Sequence, residues 1–539
     1  MSGKISAIHI EGFKKFQNFD MKFNPDMNIL IGENEAGKST ILEAIRLVLN
    51  QDYSHADHSI LDDLFNVTQV KMFKKHPCIE NLPAIVIDLF LNLDPNDKDS
   101  QFYYGENNSI NKEGYGISFT CTYDVDQWNN SVDWNLVNEV PVEFYTLKWQ
   151  TFSGDSYNPY KRPIHFLALD TSRQDRTYSF NYYNKTCFGN VYDETDKLKI
   201  KNSFRNHLNS ALQSSDIDLS IDEKQNRSFG IDGKKVILEN IISIKQNDVP
   251  LENHGSGMES MIKTEISLGK SSKSDVIMME EPENHLSFPN LLKMIEMIEK
   301  RENRLQIIIA THSSMIASRL NITKVFWITD TNARALHNLS EDDAAFFCRL
   351  PNNNLLQMIL AKKVILVEGV AEYLLIPEFF KKITGHSLNE LNIVVISCNG
   401  ISYKRYLAIA KSADKKTVVL TDNDKKQSKI DECEQFNGSH ESLQKIYTEQ
   451  DLEKWTWEVC LYEKNKQNKQ NIQKLVRTLN PHSRIDYNQS TNDNIFINYL
   501  TDGKNKAEFA YLILKLDLIG QNEILPPNYV EEAITWLVK

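Results

Sequence analysis

The amino-acid sequence predicts an α/β protein in two modules, and three observations predict it. An apolar strand at residues 27–31 runs directly into the loop Gly32-Glu33-Asn34-Glu35-Ala36-Gly37-Lys38-Ser39 and then into an apolar-periodic helix at 39–49. Apolar strands and amphipathic helices alternate over 275–310 and again from 364 to 421. Between these lies a stretch in which Ile117, Phe119, Cys121 and Tyr123 alternate with Ser118, Thr120 and Thr122, the pattern of half-buried antiparallel sheet.

The elements follow in order. A short alternating strand at 5–10 precedes the strand, loop and helix of 27–49. After a polar, His-containing loop at 53–58 come strands at 84–93, 116–123 and 142–149. Residues 196–215 read as a helix for packing or dimerisation, and 217–247 return to strands. Fully buried parallel strands at 276–279 and 306–310 close the first module, whose core is therefore split by an insertion. The polar run Pro351-Asn352-Asn353-Asn354 lies just past the expected boundary, which gives modules at 1–345 and 346–539. In the second, strands at 364–367, 393–397 and 417–421 are separated by helices at 372–382 and 403–411, a small Rossmann-like parallel α/β domain. No sustained heptad, low-complexity tract or short repeat interrupts this plan.

Composition bounds the function. A chain of 539 residues, 41% hydrophobic and 25% charged, is that of an ordinary globular protein with a sizeable core. Its 7 cysteines are scattered without CxxC or Cys/His pairing, so neither a zinc site nor a disulfide framework is indicated. Residues 1–13 lack the basic and apolar regions of a signal peptide, and no stretch approaches the roughly 18 apolar residues of a membrane span; a cytoplasmic protein is expected. The net charge of −12 excludes a protein that coats nucleic acid over its whole surface. Any DNA contact falls to local basic stretches, namely Lys404 and Arg405, 411–416, 425–429 and 464–477, which otherwise read as solvated surface.

Two constellations carry chemistry. The loop fits G-x-x-x-x-G-K-[ST]: Gly32 and Gly37 let backbone amides turn toward phosphate, Lys38 reaches the β and γ oxygens, and Ser39 offers a hydroxyl to Mg²⁺. Asn34 and Thr40 complete the nucleotide-binding set. A buried strand ends in Glu280 and Glu281, suited to holding Mg²⁺ through water and to polarising an attacking water respectively. His312, at the end of another buried strand, is either a structural residue or a γ-phosphate sensor. In the second module Glu368 ends one buried strand with Glu372 a helical turn beyond it, and Asp422 and Asp424 end another at i, i+2 spacing that projects both to one side. Such carboxylates suit Mg²⁺ or Mn²⁺ and the two-metal hydrolysis of a phosphodiester. Glu372 reads equally as a metal ligand or as a solvated first-turn acid.

In this order of motifs the first module resembles ABC-type P-loop ATPases. His254-Gly255-Ser256-Gly257-Met258-Glu259 stands where their signature segment lies, which implies that Ser256 and Gly257 cap the nucleotide of the opposite protomer. Met258 and Glu259 depart from the usual Ser-Gly-Gly-Gln; Gln69 and Gln174 compete for the role of the Q-loop glutamine. In the second module Glu-Gly after an apolar strand, then Asp-x-Asp after another, resembles the Toprim domain of topoisomerases, primases and the overcoming-lysogenisation-defect (OLD) nucleases. An ABC-type ATPase ahead of a Toprim domain resembles the OLD family, and in layout the nuclease subunit of Gabija antiphage systems. Within that resemblance Thr456-Trp457-Glu458 matches a Thr-Leu-Glu segment and adds Glu458 as an acidic ligand. Lys506-Ala507-Glu508 matches the segment of the catalytic lysine, with Lys504 as the competing choice.

The resemblance implies an ATP-regulated, Mg²⁺-dependent endonuclease of double-stranded DNA in antiphage defence. It implies an antiparallel β lobe and a helical dimerisation insertion near 175–215, a homodimer or homotetramer, and a separately encoded helicase-like partner. The alternative is a DNA-repair or DNA-clamping ATPase whose Toprim domain grips DNA without cutting. A topoisomerase or primase is disfavoured, because no tyrosine nucleophile domain or zinc module is evident.

Overall fold

The computed structural model describes residues 3–539 apart from 55–56, 129–133, 135–136, 171–175, 214–219, 223–226, 229–236, 239–240, 270–273, 302–304, 336–341, 344–345, 348–353, 401, 439–442, 480–491, 503 and some further side chains. The chain divides into two compact units, Met1–Leu320 with Lys324–Ala335, and Asn321–Thr323 with Leu336–Lys539.

The first unit holds two sheets. The antiparallel one runs in the order Phe16–Lys22, Lys4–Phe13, Ile85–Asn92, Gly114–Tyr123, with Tyr104–Gly105 and Tyr145–Thr151 both on the last. The alternation at 117–123 holds in part: Ile117, Phe119, Cys121 and Tyr123 are buried and Thr120 and Thr122 half-buried, but Ser118 is buried as well. The first strand is longer than read, because it continues into a hairpin with Phe16–Lys22 that pairs Phe13 with Phe16. Residues Val142–Phe144 form a 3-10 turn, so the strand begins at Tyr145.

The second sheet runs Ala333–Ala335, Val325–Ile328, Met27–Ile31, Gln306–Ala310, Val276–Glu280, Phe166–Asp170, all parallel except the first pair. Met27–Ile31 and Gln306–Ala310 are buried along their whole length, as strands covered on both faces must be. Leu30 and Glu280 both pair with Ala310, so the loop strand and the acidic strand end level with each other on either side of it. Helices Arg176–Val191 and Glu194–Gln213 occupy the insertion. Over 217–247 the described residues form the pair Ser220–Asp222 with Arg227–Ser228, and Lys245–Gln246 pairs with Val249–Pro250.

In the second unit a parallel sheet runs Ile393–Ser397, Lys363–Val367, Lys416–Leu420, Gln444–Tyr447. Its core gathers Phe379, Phe380, Trp457, Tyr462, Phe496, Phe509 and Ile534, all nearly inaccessible. Because Trp457 and Phe509 sit in this core, the helices Trp457–Lys464 and Lys506–Lys515 that begin beside them are fixed against the sheet. Among the described residues no helix is long and apolar enough to cross a membrane. Cys121, Cys187, Cys398, Cys433 and Cys460 are buried free thiols; Cys348 lies outside the described residues.

Candidate active site

In the first unit the phosphate loop is held by its own backbone. Gly37 takes φ 98°, a conformation open to glycine, and a Cβ there would meet the Phe16 ring at 2.3 Å. The hairpin thus packs directly on the loop, which leads into helix Lys38–Asn50. Lys38 is buried at 6% exposure and donates to the Gly32 and Glu33 carbonyls at 3.1 Å each. Burial lowers its pKa, opposed by Glu281, Glu280 and Glu283, so the acidic strand end faces the loop lysine. Ser39 is exposed at the helix start with Thr40 half-buried behind it, and Asn34 is exposed on the loop.

Glu281 takes φ 46°, its N–H donates to the Ala310 carbonyl at 2.8 Å, and Oε2 accepts from Asn284 Nδ2 at 2.7 Å. His312 Nε2 lies 3.7 Å from Glu281 Oε1. Burial and then Lys38 lower the His312 pKa against the pull of Glu281 and Glu283, which groups loop lysine, histidine and acid together. Glu283, unassigned from sequence, accepts from Thr311 Oγ1 at 2.5 Å and from the His312 and Ser313 amides at 3.0 Å, fixing the turn that carries His312. Ser256 and Gly257 open helix Ser256–Leu268, where Glu259 pairs with Lys263 at 2.6 Å. Gln69 Oε1 instead accepts from the Ala84 amide at 3.3 Å, a structural contact; Gln174 lies outside the described residues.

In the second unit four acids and a lysine from distant segments meet at the ends of the parallel strands. Glu368 follows strand Lys363–Val367, and its Oε1 accepts from the Thr421 hydroxyl and from the Asp422 amide at 3.2 Å. Gly369 leaves room for Glu372, whose Oε2 lies 3.0 Å from where a Cβ would stand. Glu372 is buried, not a solvated first-turn acid, and burial, with Glu458 and Glu368 adding to it, pushes its pKa up to about 7. Asp422 Oδ1 accepts the Trp457 amide at 2.8 Å at the start of a helix. Burial, then Glu368, Glu372 and Glu458, raise its pKa well above the usual carboxylate range. Glu458, 2% exposed, is paired by Lys506, whose Nζ lies 2.9 Å from both Oε1 and Oε2, whereas Lys504 is exposed. The Lys506 pKa is lowered by burial but raised on balance by Glu458, Asp422 and Glu372.

Asp424 departs from the i, i+2 expectation. The strand ends at Leu420, and the backbone then turns through Asp424 at φ 50°, so strand geometry no longer aims both aspartates one way. Asp424 Oδ2 binds Lys429 Nζ at 2.6 Å, and Lys429 also donates to the Asp422 carbonyl at 3.1 Å. Asn423, the middle residue of the motif and 1% exposed, donates to the carbonyls of Glu449 at 2.9 Å, Asp451 at 3.1 Å and Lys454 at 3.4 Å. It thereby ties the strand end to the loop that leads to Glu458. Neither Asn423 nor Lys429 was singled out in the sequence, although Lys429 falls in a basic stretch.

Those basic stretches are largely engaged within the fold. Arg405 pairs with Asp343 at 2.9 Å and Asp342 at 3.1 Å, Lys404 pairs with Glu432, and Lys415 is buried on the Ala361 carbonyl at 2.7 Å. Lys425 covers the Trp455 ring at 3.7 Å from its centroid, and Lys466 pairs with Glu463 at 2.6 Å.

The donor set suits a hard divalent cation: Glu368, Glu372, Asp422, Asp424 and Glu458 offer carboxylate oxygens against Lys506 and Lys429, and a buried carboxylate without a counter-charge costs several kcal/mol. Among the described residues no three such side chains already stand in ion-holding geometry, since Asp422, Glu458 and Asp424 are turned to Trp457, Lys506 and Lys429.

A phosphate loop facing an acidic strand end, and an acid cluster at the end of a second parallel sheet, define a P-loop ATPase joined to a Toprim domain. The chain belongs to the AAA ATPase domain family, whose model matches residues 4–317, and carries an overcoming lysogenization defect protein-like TOPRIM domain at residues 359–424. It is 22% identical over 482 residues to the Old nuclease of Escherichia phage P2, covering 79% of this chain and 78% of that protein. A 61-residue stretch is 38% identical to the DNA replication and repair protein RecF of Limosilactobacillus reuteri (strain DSM 20016), covering 11% of this chain and 16% of RecF. The C-terminal region of the Xanthomonas campestris pv. campestris OLD protein superposes with a TM-score of 0.24 at 21% identity, over 33% of this chain and 94% of that one.

Proposed function

We propose that this chain is a divalent-metal-dependent DNA endonuclease that cuts phosphodiesters at the acid cluster of its second unit, under the control of nucleotide bound at Lys38. The observation that carries the reading is the convergence of Glu368, Glu372, Asp422, Glu458 and Lys506, from separate stretches of chain, on one part-buried cluster. The family match at 359–424 and the likeness to a phage nuclease support it.

Mg²⁺ or Mn²⁺ supplies a Lewis acid and an activated water when bound. Glu368, Glu372, Asp422, Asp424 and Glu458 would hold it. Glu458 fixes the Lys506 ammonium, which faces the charge that develops on the phosphate. The Trp457 amide holds Asp422 in one orientation. At the other site Gly32, Asn34, Gly37, Lys38, Ser39 and Thr40 cradle ATP. Glu280 serves its Mg²⁺, Glu281 orients water, and His312 reads the γ-phosphate. Ser256 and Gly257 serve the nucleotide of a second copy, in a homodimer or homotetramer.

The substrate is double-stranded DNA and the biological role antiphage defence in the cytoplasm, with a separately encoded helicase-like partner as in Gabija systems. The test is incubation of the purified chain with supercoiled and linear DNA, with Mg²⁺, Mn²⁺ or chelator, and with or without ATP, followed by end mapping. Metal-dependent nicked or linear product is expected. DNA retained but intact under every condition contradicts the reading and favours the clamping alternative.

A further inference from the structure

We infer that Lys429 is a second counter-ion of the acid cluster, beside Lys506: its ammonium holds the Asp424 carboxylate and opposes a divalent cation at that carboxylate. The inference rests on the nuclease reading and adds a positioning residue to it. Lys429 projects from the first turn of helix Gln427–Gly438. Its Nζ donates to Asp424 Oδ2 at 2.6 Å and to the Asp422 backbone carbonyl at 3.1 Å, so one ammonium closes a ring across Asn423.

The backbone of Asp424 is set independently, by its φ of 50° and by its own N–H donating to the Trp455 carbonyl at 3.1 Å. What the lysine sets is therefore the direction of the carboxylate and the charge beside it. A cation that takes Asp424 must displace Nζ or share the carboxylate with it, and two positive charges a few ångströms apart repel. Both members of the pair are part-exposed, at 32% and 48%, so solvent screens the effect without removing it. Loss of the lysine charge strengthens divalent-metal binding about three- to tenfold.

The experiment titrates Mn²⁺ into the DNA-free full chain and reads free Mn²⁺ by electron paramagnetic resonance, with melting temperature as a control on folding. Lys429→Met is expected to bind Mn²⁺ about three- to tenfold more tightly than wild type, Lys429→Arg to match wild type, and Lys429→Gln to reproduce Lys429→Met should the latter melt early. In an Asp424→Asn background, Lys429→Met is expected to strengthen Mn²⁺ binding by less than it does in the wild-type background, because the pair it competes for is gone and only its repulsion toward a cation at Glu368 and Asp422 remains; an undiminished effect overturns the assignment to Asp424. Equal or weaker Mn²⁺ binding by folded Lys429→Met and Lys429→Gln, with the wild type binding normally, overturns this inference and leaves the nuclease reading standing. Failure of the wild type to bind Mn²⁺ at all overturns both.

Discussion

On the proposed reading, Lys38 is the cation on which nucleotide affinity at the first site depends. Charge-assisted bonds from one lysine to phosphate contribute about 1.5–3 kcal/mol, so Lys38→Ala is expected to weaken ATP binding roughly 10- to 100-fold in an equilibrium titration. Unchanged affinity contradicts the assignment. His9 makes a separate prediction. Its Nδ1 lies 2.8 Å from Asp20 Oδ1 and its Nε2 2.9 Å from Glu11 Oε1, and since carboxylates only accept, both ring nitrogens must donate. Burial lowers its pKa, but the Asp20 and Glu11 bonds outweigh burial and raise it on balance. A raised folded pKa gives stability that is present in full below the ordinary histidine value and is lost as pH rises through the folded value. Relative to His9→Gln, the wild type should lose roughly 0.5–1 kcal/mol across that window, a modest figure because both carboxylates are solvated. Denaturant melts at pH 6 and pH 8.5 check it, and parallel pH profiles contradict it. At this scale Glu368 and Lys38 were legible because each ends an apolar run or completes a spaced motif. Asn423 was not, because its partners are backbone carbonyls at 449–454, and nothing in a Asp-x-Asp pattern marks the middle position.

Gln306–Ala310 and Ile393–Ser397 were readable to the residue, because each is a short β-branched-rich apolar run that gives way at once to polar residues, Thr311-His312-Ser313 after the first and Ser397 and Asn399 at the end of the second. Phe166–Asp170 and Val325–Ile328 went unread, since a run of four apolar residues is equally a buried helix turn, and Phe16–Lys22 went unread because Phe16, Phe19 and Met21 do not alternate strictly with its polar residues. Asp424 was misread for a related reason: period-two geometry ends with the strand at Leu420, four residues too early to aim it. The turn that follows is an element in its own right, pinned by Asn423 to the loop before helix Trp457–Lys464. Asn423→Ala leaves those carbonyls without their donor at a cost of about 1–3 kcal/mol. Faster hydrogen exchange of amides 449–455 is expected, together with a fall in metal-dependent cleavage, while ATP binding stays at the wild-type level. Unaltered exchange in that loop contradicts the role given to Asn423.

Among the described residues both units use the same device: parallel strands end level with one another and carry acids to the carboxyl edge of a sheet, where a lysine at the start of a helix meets them. Order along the chain made this legible, because motif after motif sits at a strand end. The convergence of Glu458 and Lys506 on Asp422 was open to resemblance but not to spacing, since those residues come from helices far along the chain whose placement is decided by the core around Trp457 and Phe509. On the proposed reading, Asp422 is a metal ligand at the cutting site. Asp422→Asn keeps an oxygen for the Trp457 amide and removes the charge. Plasmid cleavage with Mg²⁺ or Mn²⁺ should fall at least about 10²-fold in this variant, with ATP binding unchanged. Cleavage by purified, folded Asp422→Asn at the wild-type rate would contradict the account.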